Sequence, residues 1–140
     1  MSVYLDTSVL VPVFMQEAFT ERAERYLRSG LEVLIVSDFA AAEFAAALAR
    51  RVRTSELLAH RARSAFAAFD GWTPRVTQRV DLRATDVRTA ETFIRGLDLP
   101  LRTPDALHIA IAQRLGVTLA TFDESMKKSA IALGVPVAAL

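Results

Sequence analysis

The sequence predicts an α/β fold in which helices cover both faces of a mostly parallel sheet of four to five strands. Three observations lead to this prediction. Short β-branched runs alternate with longer helical segments along the chain. Some of these runs, such as Val33–Val36, are apolar throughout, which is typical of strands buried on both faces of a parallel sheet. The helical segments are amphipathic, so each has a face that can pack on such a sheet.

The strands are expected where apolar and β-branched residues cluster. In chain order they are Val3–Leu5, Val33–Val36, Val76–Leu82, Val117–Thr121 and Val135–Ala138. The third strand alternates polar and apolar residues, which favours an edge position, whereas the second is expected near the centre of the sheet.

The helices are expected where apolar residues recur with helical spacing. In chain order they are Thr20–Ser29, Asp38–Arg53, Ser55–Phe69, Ala84–Leu97, Thr103–Leu115 and Glu124–Leu133. Ser37 or Asp38 can cap the second of these helices. Thr103 is expected as the N-cap of the fifth, with Pro104 at its first helical position.

Composition limits the possible classes of protein. A chain of 140 residues accommodates one domain, expected to span residues 1–140. It has no cysteine, which excludes disulfide scaffolds and thiol chemistry, and its 52% hydrophobic content excludes a disordered chain. The net charge of +1 gives no overall basic field, so nucleic-acid binding would depend on local patches. The 24 alanines and the mean hydropathy of +0.27 suggest a surface that binds another subunit or partner.

The N-terminal segment has no basic region before its apolar run, and Asp6 and Pro12 interrupt that run. No stretch of about 18 uncharged apolar residues occurs anywhere in the chain. A cytoplasmic protein that does not enter the membrane is therefore expected.

Two acidic residues follow predicted strands. Asp6 comes directly after the first strand, and Asp123 follows Thr121 at the end of the fourth. Ligands of open α/β sheets bind beyond the carboxyl ends of the strands, so both acids occupy candidate site positions. Each also precedes a possible helix start, and for either residue alone helix capping is the simpler interpretation.

Two further acids lie in apolar helices. Glu43 is the only charged residue between Phe39 and Ala49, where it is costly unless it is paired, bound to a metal or exposed. Asp105 lies in the first turn of a buried helix, where it either stabilises the helix dipole or contributes to a site.

The four acids are more informative together than singly. Two carboxylates 4 Å apart repel by about 4 kcal/mol at an effective dielectric of 20, and divalent cations can neutralise such a cluster. Ligands made only of oxygen suit Mg²⁺ or Mn²⁺, and sites of this kind commonly carry out phosphoryl chemistry.

Four motifs carry a resemblance to a known family: LDTSVL at 5–10, AAEF at 41–44, RTPDALHIA at 102–110 and TFDESM at 121–126. Their order and spacing resemble PIN domains, and more narrowly the VapC toxins of type II toxin–antitoxin pairs. This resemblance implies a three-layer α/β/α sandwich and an Mg²⁺- or Mn²⁺-dependent endoribonuclease, in which a metal-activated water attacks the phosphodiester.

The resemblance also implies the site. Four acids would be the catalytic residues and metal ligands, and three hydroxyl residues would support them. The acids are Asp6, Glu43, Asp105 and Asp123, and the hydroxyl residues are Thr7, Ser8 and Thr121. The implied partners are an RNA substrate and an antitoxin protein, and the composition together with the family suggests a homodimer.

Several alternatives remain open at this stage. Arg50, Arg51 and Arg53 could contact RNA phosphates or could form a solvated face. His108 shares a helix face with Asp105 and is interpreted as a core histidine rather than a ligand. A PIN-like module that binds RNA or protein without cutting is the main alternative function. A phosphatase of the haloacid-dehalogenase type is less favoured, since Ser8 occupies the position of its second acid.

Overall fold

The computed structural model describes all 140 residues as four strands and seven helices. The strands are β1 (Ser2–Leu5), β2 (Val33–Ser37), β3 (Thr77–Val80) and β4 (Thr118–Ala120). The helices are α1 (Thr7–Phe14), α2 (Thr20–Arg28), α3 (Asp38–Arg53), α4 (Ala59–Val76), α5 (Ala84–Arg95), α6 (Thr103–Leu115) and α7 (Glu124–Ala132). The strands form one parallel sheet in the order β3-β2-β1-β4.

Alternation along the strands builds a core on each face of the sheet. Val3 and Leu5 pack into a cluster with residues of α1, α3 and α4, while Tyr4, between them, packs into a cluster with residues of α6 and α7. Successive side chains of a strand point to opposite faces, so the helices divide into two layers. The predicted α/β/α sandwich is therefore confirmed, as are the inner position of β2 and the edge position of β3.

Helix α1 was not expected from the sequence. Half of its residues are β-branched, and it includes Pro12, which disfavours a helix interior. The helix forms because Asp6 caps it and because Val9, Leu10 and Val11 are buried in the core. Tertiary packing thus outweighs the weak helix propensity of this segment.

The helix predicted over Ser55–Phe69 is displaced toward the C-terminus. Ser55 has a φ of 61°, and the amide of Glu56 donates back to the Arg51 carbonyl at 2.8 Å, so the chain turns before α4 begins. At its other end α4 continues through Pro74, which lies on the exposed side, to Val76. Thr73, which is buried, holds this last part of the helix in the core.

Two further expectations are corrected. The predicted strand Val135–Ala138 reduces to a single bridge between Val137 and Leu119, because Pro136 has no amide hydrogen with which to extend the ladder. The N-cap of α6 is Arg102 rather than Thr103, since the Asp105 side chain accepts the amide hydrogen of Arg102.

The parallel sheet brings the carboxyl ends of its strands to one edge. Asp6 directly follows β1, α3 starts directly after β2, and Thr121 directly follows β4. Because these three strands are neighbours, the segments that carry Asp6, Glu43 and Asp123 emerge side by side. None of the helices has the length and apolar character needed to cross a lipid bilayer.

Candidate active site

Asp6 is the most constrained acid at this edge. Its side chain is buried, and both of its carboxylate oxygens accept hydrogen bonds. Ser8 Oγ donates to Oδ1 at 2.7 Å, and Thr121 Oγ1 donates to Oδ2 at 2.7 Å. The amide of Val9 also donates to Oδ1, at 3.3 Å, so Asp6 caps α1 as well. Two of the hydroxyl residues named from the sequence therefore hold this carboxylate in place.

Thr121 connects Asp6 to Asp123. Its Oγ1 atom accepts the amide hydrogen of Asp123 at 3.0 Å while its own hydrogen goes to Asp6. The Oδ1 atom of Asp123 accepts from the amide of Met126 at 3.0 Å and caps α7, whereas Oδ2 accepts no hydrogen bond from the protein. The sequence left two interpretations for Asp6 and Asp123, a helix cap or a residue of the site. In the structure each of them caps a helix and also lies at this edge of the sheet, so the two interpretations are compatible.

Glu43 reaches the same edge from α3. Its Oε1 atom accepts a hydrogen bond from Thr7 Oγ1 at 2.7 Å and also pairs with Nε2 of His108. Its Oε2 atom accepts none, and 27% of the side chain is exposed. The half-exposed Glu43 is therefore anchored through one oxygen, which leaves the other available to a ligand.

His108 is a buried histidine with a partner on each ring nitrogen. Tyr4 Oη lies 2.7 Å from Nδ1 and 2.7 Å from Ser37 Oγ, which in turn accepts the Ala40 amide hydrogen at 2.9 Å. Nε2 faces the Glu43 carboxylate, which can only accept, so Nε2 carries a hydrogen.

Which group donates in each hydrogen bond of this network follows from its two ends, the Ala40 amide and the Glu43 carboxylate. With a neutral His108, Ser37 donates to Tyr4, Tyr4 donates to Nδ1, and every hydrogen has an acceptor. With a charged His108, Nδ1 would donate to Tyr4 and Tyr4 to Ser37, and the hydroxyl hydrogen of the fully buried Ser37 would have no acceptor. The interpretation of His108 as a core histidine is thus consistent with its burial, but its contact with Glu43 was not foreseen.

Asp105 stands apart from the other three acids. Its Oδ2 atom accepts from the Arg102 amide at 3.3 Å and lies 3.8 Å from Arg102 Nε, and 15% of its side chain is exposed. These contacts match the interpretation as an acid at a helix N-terminus, and none joins it to Asp6, Glu43 or Asp123. Its place in the site remains a prediction, based on the motif at residues 102–110.

The surroundings move the pKa values of two acids in opposite directions. Burial raises the pKa of Asp6, although the hydrogen bonds from Thr121, Ser8 and the Val9 amide oppose that rise. Burial also favours a higher pKa for Glu43, but the hydrogen bonds from His108 and from the Thr7 hydroxyl lower it below its ordinary value. A cation beside Asp6 would compensate the charge that burial disfavours.

The ligand atoms that these acids offer are chemically suited to a hard cation. The acids offer only oxygen, and free oxygens remain on Glu43 and Asp123. No three histidine, aspartate or glutamate side chains are gathered closely enough to hold a metal ion as they stand.

The three arginines named from the sequence differ in their surroundings. Arg50 and Arg53 are exposed, whereas Arg51 is half-buried and pairs with Glu17 at 2.8 Å. Arg51 lies two helical turns beyond Glu43 on α3, so it faces the same side as the site. Their contact with RNA remains a prediction.

The PIN domain family matches residues 3–132, so the chain belongs to this family. A relative of this chain is Ribonuclease VapC46 of Mycobacterium tuberculosis. It is 32% identical over 141 aligned positions, which cover 99% of this chain and 97% of that protein. The chain is accordingly a VapC-like PIN protein, as its motifs predict.

Solved structures share the fold at lower sequence identity. Mycobacterium tuberculosis VapC20, a toxin that cleaves the sarcin–ricin loop, superposes with a TM-score of 0.75 and 23% identity over 91% of this chain and 95% of its own. VapBC2 of Rickettsia felis, solved with a DNA fragment from its promoter, gives a TM-score of 0.71 and 15% identity over 99% and 98%. At these identities the similarity shows the fold alone.

Proposed function

We propose that the chain is an Mg²⁺- or Mn²⁺-dependent endoribonuclease and the toxin of a toxin–antitoxin pair. Asp6, Glu43, Asp105 and Asp123 would be its catalytic acids and metal ligands. The observation that carries the proposal is the buried Asp6 carboxylate, which Ser8 and Thr121 fix beside Asp123 at the carboxyl end of β1. Membership in the family of Ribonuclease VapC46 supports the choice of RNA as substrate.

The chain's own residues would hold the acids in fixed orientations. Ser8 and Thr121 hold both Asp6 oxygens, so this carboxylate has little freedom to turn. Thr7 and His108 hold one Glu43 oxygen, and the other accepts no hydrogen bond from the protein. A bound divalent cation would supply charge neutralisation and a polarised water for in-line attack on the phosphodiester. No side chain needs to become covalently attached.

Removing divalent cations is expected to stop cleavage. Purified protein should cut a mixed RNA pool in Mg²⁺ or Mn²⁺, stop in EDTA and recover when either metal is restored, because the acids repel the phosphate unless a cation is present. Gel analysis of the cleaved RNA measures this. Full activity in EDTA would contradict the proposal, and binding without any cleavage would instead indicate an RNA-binding module.

An antitoxin protein is the partner that the comparisons favour. Related structures include the VapBC2 complex of Rickettsia felis and a VapBC complex of Salmonella typhimurium bound to DNA. A small DNA-binding protein encoded beside this chain, and copurifying with it, would support this part of the proposal.

The chain is expected to form a homodimer. Ala42, Ala45 and Ala46 are exposed on α3, and an exposed alanine-rich helix face can approach a second subunit closely. Light scattering should give twice the mass of one chain, and Ala45→Arg should reduce it by placing charge in the contact. A wild-type protein that remains monomeric at high concentration would contradict this prediction.

A further inference from the structure

A cleft of about 350 Å³ opens beside the candidate active site. Thr7, Ser8 and Asp123 line it, so it is continuous with the acids. Its volume lies at the small end of the roughly 300–1,000 Å³ typical of ligand sites. A ligand group next to the reacting bond could therefore enter it.

One side of this cleft carries a pair of stacked aromatic rings. The rings of Phe19 and Phe122 lie 4.5 Å apart with 5° between their planes, and the Arg22 guanidinium lies 5.5 Å and 5.2 Å from the two ring centres. Phe122 is buried, and its amide donates to Ser8 Oγ at 2.9 Å, which ties this pair to the site. Phe19 is 39% exposed, so a large apolar ring that is already supported from behind remains accessible.

The charges of the cleft favour a neutral group over an anion. Glu17 and Asp123 contribute two carboxylates and Arg51 one guanidinium, and Arg51 is already paired with Glu17 at 2.8 Å. Among the side chains that line the cleft, a phosphate would meet one more carboxylate than guanidinium groups. A flat, uncharged ring with polar edges could instead stack on an aromatic face and hydrogen-bond to the paired side chains.

We propose that this cleft binds a nucleobase of single-stranded RNA, next to the scissile phosphate, by stacking on Phe19. The proposal rests on the proposed ribonuclease function. Unpaired bases are commonly recognised by aromatic stacking and by arginine, and stacking of this kind tolerates different bases. Double-stranded RNA cannot use the cleft, because its bases are stacked within the helix.

The test is binding of a fluorescein-labelled, mixed-sequence, ten-nucleotide RNA in EDTA, measured by anisotropy. Phe19→Leu keeps an apolar side chain but removes the flat ring, and it should weaken binding roughly tenfold, the effect of losing one stacked base. Phe19→Trp keeps a flat aromatic ring and should bind the RNA at least as tightly as the wild type does. Ile131→Ala removes an exposed apolar side chain outside the cleft and should leave affinity unchanged.

An abasic oligonucleotide of the same length provides a second control. Wild type and Phe19→Leu should bind it equally, because it has the backbone but no base to stack. The fluorescence of Phe19→Trp should also be quenched by the normal RNA and not by the abasic one, a reading that does not depend on the leucine variant folding. Equal affinity of wild type and Phe19→Leu for the normal RNA, or no quenching, would overturn the proposal.

The test of base binding can be distinguished from the test of the ribonuclease function. Cleavage is measured with Mn²⁺ in the wild type, whereas base binding is measured in EDTA. Cleavage together with an unchanged Phe19→Leu affinity would overturn the base subsite alone and leave the cleft to a protein segment. Base-dependent binding without cleavage would support the subsite and contradict the ribonuclease function.

Discussion

Asp6→Asn should abolish RNA cleavage and, in EDTA at pH 7, should raise the temperature of thermal unfolding. Burial raises the pKa of Asp6, so the folded protein holds the carboxyl proton more tightly than the unfolded chain does. The stability gained from that proton is present at low pH and is lost as the pH rises through the folded-state pKa. At pH 7 the charged carboxylate therefore destabilises the fold, and a neutral amide removes that cost.

The hydrogen bonds around Asp6 can adapt to asparagine. The amide oxygen can accept from Ser8 and Val9, as Oδ1 does now. The amide nitrogen can donate to Thr121 Oγ1, whose own hydrogen can turn to Ser8 Oγ, 3.2 Å away. The substitution therefore removes the charge while keeping the size of the side chain and its bonds to Ser8, Val9 and Thr121.

Unfolding should be compared in EDTA at pH 7 and pH 4.5, with gel-based cleavage assays in Mn²⁺. At this chain length each kcal/mol of stability corresponds to roughly 2–8 °C. The advantage of Asp6→Asn should shrink at the lower pH, because lowering the pH increases the protonated fraction of the wild-type carboxyl. Cleavage should fall by more than the roughly 10- to 100-fold that loss of an outer-shell partner causes.

Asp70→Asn is the matched control, since Asp70 is exposed on α4. It should leave cleavage and unfolding close to those of the wild type. An Asp6→Asn protein that still cuts RNA, or that unfolds at a lower temperature than the wild type at pH 7, would remove Asp6 from the proposed site.

The sheet could be predicted because its pattern is local. Strand β2, for example, contains the consecutive apolar residues Val33–Val36 between Glu32 and Ser37, and this pattern can be recognised in a single sequence. Helix α1 and the bounds of α4 could not be predicted, because in both segments tertiary packing outweighs the local helix propensity. Pro12 and Pro74 each argue against the helix that contains it.

The candidate site likewise has a part that could be predicted from the sequence and a part that could not. The placement of Asp6 and Asp123 follows from parallel-strand geometry, because both come just after strands that prove to be neighbours. The network through Tyr4, Ser37 and His108 could not be predicted, since its members are up to 104 residues apart. A signal did exist: a tyrosine in a buried strand and a histidine flanked by apolar helical residues each need a polar partner.

The contact between His108 and Glu43 should matter for activity more than for folding. It connects α6 on one face of the sheet with α3 on the other, at the edge where the acids meet. Ring nitrogen Nε2 donates to Glu43, whereas Nδ1 bonds to Tyr4, so the two contacts can be removed separately. We expect His108 to be a positioning residue that sets the direction of the free Glu43 oxygen.

The nuclear magnetic resonance spectrum of the wild type tests the state of His108 without metal or substrate. The chain has two histidines, and His60 is exposed, so ¹⁵N signals of the two rings are readily distinguished. The donor order predicts a His108 ring with hydrogen on Nε2 and none on Nδ1. A signal for hydrogen on Nδ1 alone would contradict the donor order and with it the contact to Glu43.

His108→Gln and His108→Asn together test the role itself. Glutamine places an amide N–H near the position of Nε2 and can still donate to Glu43, whereas asparagine reaches only as far as Nδ1 and can still bond to Tyr4. Each variant loses one of two buried contacts, so both should lose similar stability in thermal unfolding. Cleavage in Mn²⁺ should fall roughly 10- to 100-fold for asparagine, as for the loss of an outer-shell partner, and much less for glutamine. Equal activity of the two variants, or activity that simply follows stability, would show that His108 supports the core alone and does not position Glu43.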